Sequence, residues 1–184
     1  MRWERLIEEI QARIDQEEAD RRAAEAAELQ RAERARLRLP PRLRAQEGGR
    51  VRVVLRQGRL LDGEIADAGA DWVTIAGDPR GSVVVPVAAM VQIDGLGWEP
   101  GAESIVAARL GLGHPLRRLA RDRTVVEVED VLGRQFTGTI DVVGADSFEL
   151  AAHSREVPPR RANVTGRPTI PFAAVVCITA VGPA

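Results

Sequence analysis

The stretch Val51–Ile93, VRVVLRQGRLLDGEIADAGADWVTIAGDPRGSVVVPVAAMVQI, is the part of the chain that decides its fold. Val51, Val53 and Leu55 alternate with Arg50, Arg52 and Arg56, the period-two pattern of a half-buried strand. Gln57-Gly58 supplies a tight turn, because glycine accepts positive φ without a Cβ clash. Leu61, Gly63 and Ile65 carry the next strand, with Gly63 where a strongly bent strand has no room for a side chain. Ala68-Gly69-Ala70-Asp71 predicts a turn, Trp72 to Ala76 a third strand, and Gly77-Asp78-Pro79-Arg80-Gly81 a second turn. Ser82 to Val85 reads as a fourth strand that Pro86, lacking an N–H, should end. Val87-Ala88-Ala89 fits one 3₁₀ turn before a fifth strand, Met90 to Ile93. Together these predict one small five-stranded β-barrel.

Most of the pattern recurs. Moved 75 places along, Val51, Val53, Gly58, Arg59 and Gly63 fall on Val126, Val128, Gly133, Arg134 and Gly138. Ile65, Gly69, Ala70 and Asp71 fall on Ile140, Gly144, Ala145 and Asp146. The ends match at a displacement of 85, with Pro86 to Ile93 on Pro171 to Ile178, so the second copy carries an insertion of 85 − 75 = 10 residues. Glycines that coincide at three turn or bend positions point to a duplicated barrel. The expected organisation is an N-terminal helical extension (1–47), a first barrel (48–96), a helical connector (97–123) and a second barrel (124–181) with an insertion loop at 154–169. The fold class is mainly β with an N-terminal α-helix.

The order Val51-x-Val53-x-Leu55-x-x-Gly58, Gly63-x-Ile65, Asp71-Trp72-Val73-x-Ile75 resembles the three-strand first motif of Sm-like small barrels, the LSm and bacterial Hfq type. Ser82–Ile93 resembles their two-strand second motif. SH3-like and PRC-type barrels share much of this pattern. The helix followed by paired barrels also resembles a family from high-GC bacteria, which implies no activity. The Sm-like resemblance implies a short helix across one barrel end, pairing of neighbouring barrels through their fourth and fifth strands, and RNA binding. Its RNA-contacting residues do not carry over. Thr74 and Glu149 stand near the place of the family's loop Asn, Pro86-Val87 and Pro171-Phe172 replace its Arg-Gly pair, and the Lys-His pair of Hfq is missing.

Composition narrows the function classes. The chain has 184 residues, a net charge of −1 and 3% aromatic residues. The near-neutral charge argues against overall electrostatic attraction to nucleic acid or anionic membrane. All 26 basic residues are arginine, which codon bias in a GC-rich genome explains as well as phosphate recognition does. A single cysteine excludes an internal disulfide and fits a reducing compartment, so the cytoplasm is the expected location. There is neither a signal peptide nor an apolar run of membrane-spanning length.

Residues 1 to about 38 hold no Gly or Pro and are rich in Ala, Glu, Arg and Gln, a helix-forming composition. Trp3, Leu6, Ile7, Ile10 and Ile14 make an apolar stripe at helical spacing, a candidate interface with the barrels or with a second copy. Leu39-Pro40-Pro41 is expected to end the helix, with one further turn over Arg42 to Glu47. In the connector, Glu103 to Leu110 fits a short helix with Ile105, Val106 and Leu110 inward. His114-Pro115 opens another, with Leu116, Leu119 and Ala120 inward and Arg117, Arg118, Arg121 and Arg123 outward. The insertion, rich in Pro and basic residues, reads as a loop carrying Arg155, Arg160, Arg161 and Arg167. These arginines are candidate contacts for phosphates or an acidic partner; the alternative is a solvated connector face and an exposed loop. Trp72 is either a base-stacking residue or the filling of a barrel end or an interface, and its counterpart is Ser147.

Catalysis finds little material. His114 and His153 have no Cys, Asp or His at ligand spacing, and Cys177 lies in an apolar strand, so neither a metal, a cofactor nor a nucleophile is expected. Gly95-Leu96-Gly97 and Gly111-Leu112-Gly113 lack the third glycine and the βαβ setting of a dinucleotide loop. The reading is therefore a non-enzymatic binding or scaffold protein, acting by protein–protein interaction or self-association, with no small-molecule substrate. The alternative is an RNA- or DNA-binding protein that contacts phosphates through the Arg-rich connector and loop.

Overall fold

The computed structural model describes residues 2–99, 107–156 and 163–181, which fall into two compact units, one up to Leu37 and one from Arg38 onward. The first unit is a single helix, α1 (Arg2–Arg36). Its exposed face is laced by pairs one turn apart, Arg22 to Glu18 at 2.7 Å and Gln16 to Asp20 at 2.9 Å. No described helix is long and apolar enough to cross a membrane.

The second unit is mainly β. It opens with α2 (Leu39–Ala45), followed by β1 (Arg50–Leu55), β2 (Leu60–Ala68), β3 (Trp72–Asp78), β4 (Gly81–Pro86) and β5 (Met90–Asp94). After the connector, α3 (Gly113–Arg121) leads into β6 (Val125–Asp130), β7 (Gln135–Val143), β8 (Ser147–Ala152), β9 (Thr169–Pro171) and β10 (Val175–Val181). All ten strands form one open antiparallel sheet in the order β5-β1-β2-β3-β4-β10-β6-β7-β8-β9. Each half repeats one order, fifth-first-second-third-fourth. The two halves meet where β4 pairs with β10, with Val84 opposite Ile178 and Val83 opposite Thr179.

The duplication is visible in the backbone as well as the order. Leu55 N donates to Arg59 O at 2.8 Å, and Asp130 N to Arg134 O at 3.0 Å. Gly69 N donates to Trp72 O and Gly144 N to Ser147 O; Val87 N donates to Asp71 O and Phe172 N to Asp146 O. The second and third strands slip register at matched places, between Ile65 and Asp67 and between Ile140 and Val142. The 3₁₀ turns Val87–Ala89 and Phe172–Ala174 join the last two strands of each half. Gly63 and Gly138 show why a side chain is excluded at the bend. A Cβ there would sit 2.0 Å from Ala76 O and 2.1 Å from Ala151 O, on backbone that cannot swing away.

Several boundaries differ from those expected. Pro40 and Pro41 start α2 instead of ending α1, because proline suits a first helical turn whose N–H groups have no partners; the break falls at Leu37-Arg38. Pro86 stays in β4, opposite Trp72. β3 runs on to Asp78, which pairs with Gly81, leaving only Pro79-Arg80 at the tip. Of the expected helix at 103–110, residues 103–106 lie outside the described residues, and Ala107–Arg109 form a 3₁₀ turn. The expected loop at 154–169 partly joins the sheet: Ala152 bridges Gly166, and β9 begins at Thr169.

Two cores fill the sheet, and each borrows from the other half. The first gathers Leu43, Val51, Val53, Leu55, Ile65, Ile75 and Val85, together with Val176 and Cys177 of β10. The second gathers Val126, Val128, Ile140, Phe148, Leu150, Leu112 and Leu116, together with Trp72 and Val84 from β3 and β4. Replacing Gly63 or Gly138 by alanine should lower stability by about 1–3 kcal/mol, an overpacking penalty read from denaturant midpoints. The two positions should respond alike; an unchanged midpoint at either would mean that the bend does not exclude a side chain there.

Candidate interaction surfaces

The arginines of α3 and its exit are exposed, and three of the four pair with carboxylates. Arg118 reaches Asp67 at 3.4 Å, Arg121 reaches Asp122 at 3.6 Å and Arg123 reaches Asp141 at 3.4 Å. Arg117 donates to Gly144 O at 3.3 Å. Arg167 also ends on Asp141, and Arg155 is exposed with a partner of its own. Arg160 and Arg161 lie outside the described residues. On α1, Trp3 is 78% and Ile14 46% exposed, while the side chains of Leu6, Ile7 and Ile10 lie outside what the structure describes.

Of the roles expected for Trp72, base stacking is excluded, because the residue lies in the core. It is 1% exposed, donates its indole N–H to Leu110 O at 2.9 Å and stacks on His114 at 6.4 Å between centroids. A base has no access to its face. Gly69 makes the seat possible, since a Cβ there would lie 2.1 Å from Trp72 Nε1. His153 is buried with Nδ1 2.8 Å from Ser154 O. Among the described residues no three His, Cys, Asp or Glu side chains converge as metal ligands.

A polar cluster fastens the seam between the halves. The Arg59 guanidinium, from the residue just before β2, crosses to β6 and β10. It donates to Cys177 Sγ at 2.9 Å, Thr179 Oγ1 at 3.3 Å and Glu129 at 3.5 Å, and to Asp78 of its own half at 3.4 Å. Burial pushes the Cys177 thiol up to about 12; Arg59 opposes this and the Glu129 charge adds to it. The thiol is thus held protonated, an inert core group. Arg134, the counterpart of Arg59, behaves differently because Asp130 stands where the first half has Leu55. Asp130 accepts from Leu132 N and Arg134 N, both at 2.9 Å, and from Arg134 Nε at 2.7 Å. Burial alone would raise the Asp130 carboxyl, but these bonds win and hold it below 3.8.

Among the described residues the sheet has two unpaired edges, β5 and β9, which are the counterparts of the strands joined inside the chain. In the segment leading into β9, Leu150 N donates to Pro168 O and Ala152 N to Gly166 O, so Pro168 and Gly166 face β8. By alternation Arg167, Thr169 and Pro171 turn their backbone groups outward, so the open edge offers N–H donors at Arg167 and Thr169 and none at Pro171. On β5, Val91 is 68% exposed, whereas its counterpart Val176 is fully buried in the first core. Beside β5 lies a groove of about 440 Å³ lined by Leu39, Arg42, Met90, Ile93, Leu96 and Trp98 among others. Arg42 forms its rim, with the guanidinium 3.8 Å above the Trp98 ring and Nε donating to Gly97 O at 2.9 Å. The sequence reading missed Val91, Trp98 and the Arg59 cluster. The one available signal was that Val91 aligns with Val176 in the repeat.

Two measurements check this electrostatic account. Arg59→Ala strands two carboxylates at the seam and should cost about 3 kcal/mol, or roughly 6–12 °C in melting temperature, seen by calorimetry at pH 7. Asp62, Asp78 and Asp130 all sit below 3.8 when folded. Their contribution is therefore present above about pH 4 and lost as the pH falls through their folded values. Melting temperature should drop steeply below pH 4, and Asp130→Asn should be less stable at pH 7 with a shallower acid limb; parallel limbs would exclude Asp130 as a source. Compared with known proteins, the chain matches no family model, no curated protein and no solved structure.

Proposed function

We propose that the protein is a non-enzymatic assembly module built from two tandem Sm-like barrels, and that its partner is a second copy of itself. The observation that carries this reading is the contrast between Val176, buried at the internal joint, and Val91, its exposed counterpart on an unpaired edge. An open strand edge with an apolar residue is a template for another strand. Here the missing strand already exists at the other end of the same sheet. The internal register sets Ile178 opposite Val84; moved by the repeat, it sets Ile93 of one copy opposite Thr169 of the next. The contact is head-to-tail, so copies close into a ring or extend as a filament.

Nucleic-acid binding is the second reading and has less support. A phosphate ligand would have to compete with Asp67, Asp122 and Asp141 for Arg118, Arg121, Arg123 and Arg167. Trp72 offers no stacking face.

Light scattering on the full-length chain is expected to give a multiple of 20.0 kDa at micromolar concentration. Val91→Lys, which places a charge on the open edge, should return the protein to lower mass with its melting temperature unchanged. An oligomer that persists in this variant would sink edge pairing. Salt-sensitive binding of labelled RNA in anisotropy, lost in Arg117→Glu with Arg118→Glu, would favour the second reading instead.

A further inference from the structure

We infer that the groove between α2 and β5 receives Phe172 of a second copy; this rests on the head-to-tail reading above. The internal joint shows what such a seat holds. There the corner of the first half, where Trp72 faces Pro86 across β3 and β4, drives the indole into the second core beside Leu112, Leu116 and Ile178. That seat lies between the helix leading into the second half and the half's last strand. The same place in the first half lies between α2, which contributes Leu43 to the first core, and β5 with Ile93, the counterpart of Ile178. This is the groove of about 440 Å³, lined by described residues of α2, β5 and the segment after it, none of which fills it.

The corner that would enter it is built differently from the one at the internal joint. Ser147 replaces Trp72, opposite Pro171 as Trp72 is opposite Pro86. Bulk returns one residue further on, where Phe172 replaces Val87 at the head of the 3₁₀ turn. Phe172 is half-buried, packed against the second core of its own half with its ring 6.4 Å from Phe148, and its remaining surface is open. The groove differs in the complementary sense. It has an extra aromatic wall in Trp98, 50% exposed, with no counterpart after β10. An aromatic ring entering between Leu39, Ile93 and Trp98 would gain apolar contact on each side and cover the Arg42–Trp98 stack. The small Ser147 and the large Phe172 also make the intermolecular seat unlike the internal one. This difference disfavours the wrong pairing, in which β9 would displace β4 from β10.

Tryptophan emission tests the seat directly. In full-length Trp3→Phe the remaining indoles are Trp72, buried, and Trp98, half-exposed. Across the concentration range in which light scattering shows association, Trp98 emission should shift to the blue and acrylamide quenching should fall. In the same background Phe172→Ala should weaken association at least tenfold, and Phe172→Leu should recover part of the loss. Circular dichroism melts identify any variant that fails to fold, and the Trp98 signal of the parent protein does not depend on them. Association with unchanged Trp98 emission and quenching, or undiminished association of a folded Phe172→Ala, overturns the seat while leaving edge pairing intact. Constant mass at every concentration removes edge pairing itself, and this inference with it.

Discussion

The pairing of β4 with β10 is the constraint on which the rest of the second unit depends. Backbone hydrogen bonds set the alignment, but the side chains make it obligatory. Val176 and Cys177 enter one core while Trp72 and Val84 enter the other. A slip of one residue along this joint would set Val176 and Cys177 out of step with the core they enter, and Val84 likewise. It would also carry Thr179 and Cys177 away from Arg59 and leave Glu129 without its cation. Apolar exchange and a buried ionic key thus specify the same register.

The key costs more in solvation than an apolar contact of equal size, since a buried ion pair seldom exceeds a hydrophobic replacement in stability. Its physical merit is directional. Arg59 places four hydrogen bonds on three strands and tolerates only one arrangement of them. Arg134 occupies the matching turn and is folded back onto its own Asp130, where it stabilises the turn and leaves the neighbouring edge open. One substitution in a repeated scaffold, Asp130 for Leu55, has redirected an arginine from joining halves to closing a loop.

Much of the fold was legible in the sequence because the informative residues act locally. Gly63 and Gly138 announce a bend wherever the strand is read, and alternation around Val51 and Val126 assigns the inner face without knowledge of any partner. The proline-headed 3₁₀ turns were legible for the same reason. The surface was harder to read. Four arginines close together in sequence suggested a basic patch, yet Asp67 and Asp141, remote along the chain, neutralise part of it. Trp72 was recognised as unmatched in the repeat, but the absence of a match does not say whether a ring points out or in. Which strands pair across the seam has no signature in composition, because backbone groups are the same in every residue. The resemblance implied a joint between fourth and fifth strands, and β4 does pair with β10; the unequal burial of Val91 and Val176 is a property of the folded molecule alone.

The exchange of side chains across the seam has a consequence for how the chain emerges from the ribosome. β4 is synthesised long before β10, and until Val176 arrives the first core lacks its last wall. Throughout that interval the nascent protein displays Trp72 and Val84 to solvent beside a bare strand edge, the kind of surface that recruits chaperones or a neighbouring nascent chain. On a polysome, where identical chains grow side by side, the β10 of one could reach the waiting β4 of another before its own. Swapped dimers are therefore the characteristic misfolding hazard of this architecture, and slow translation between the halves would prolong the exposure.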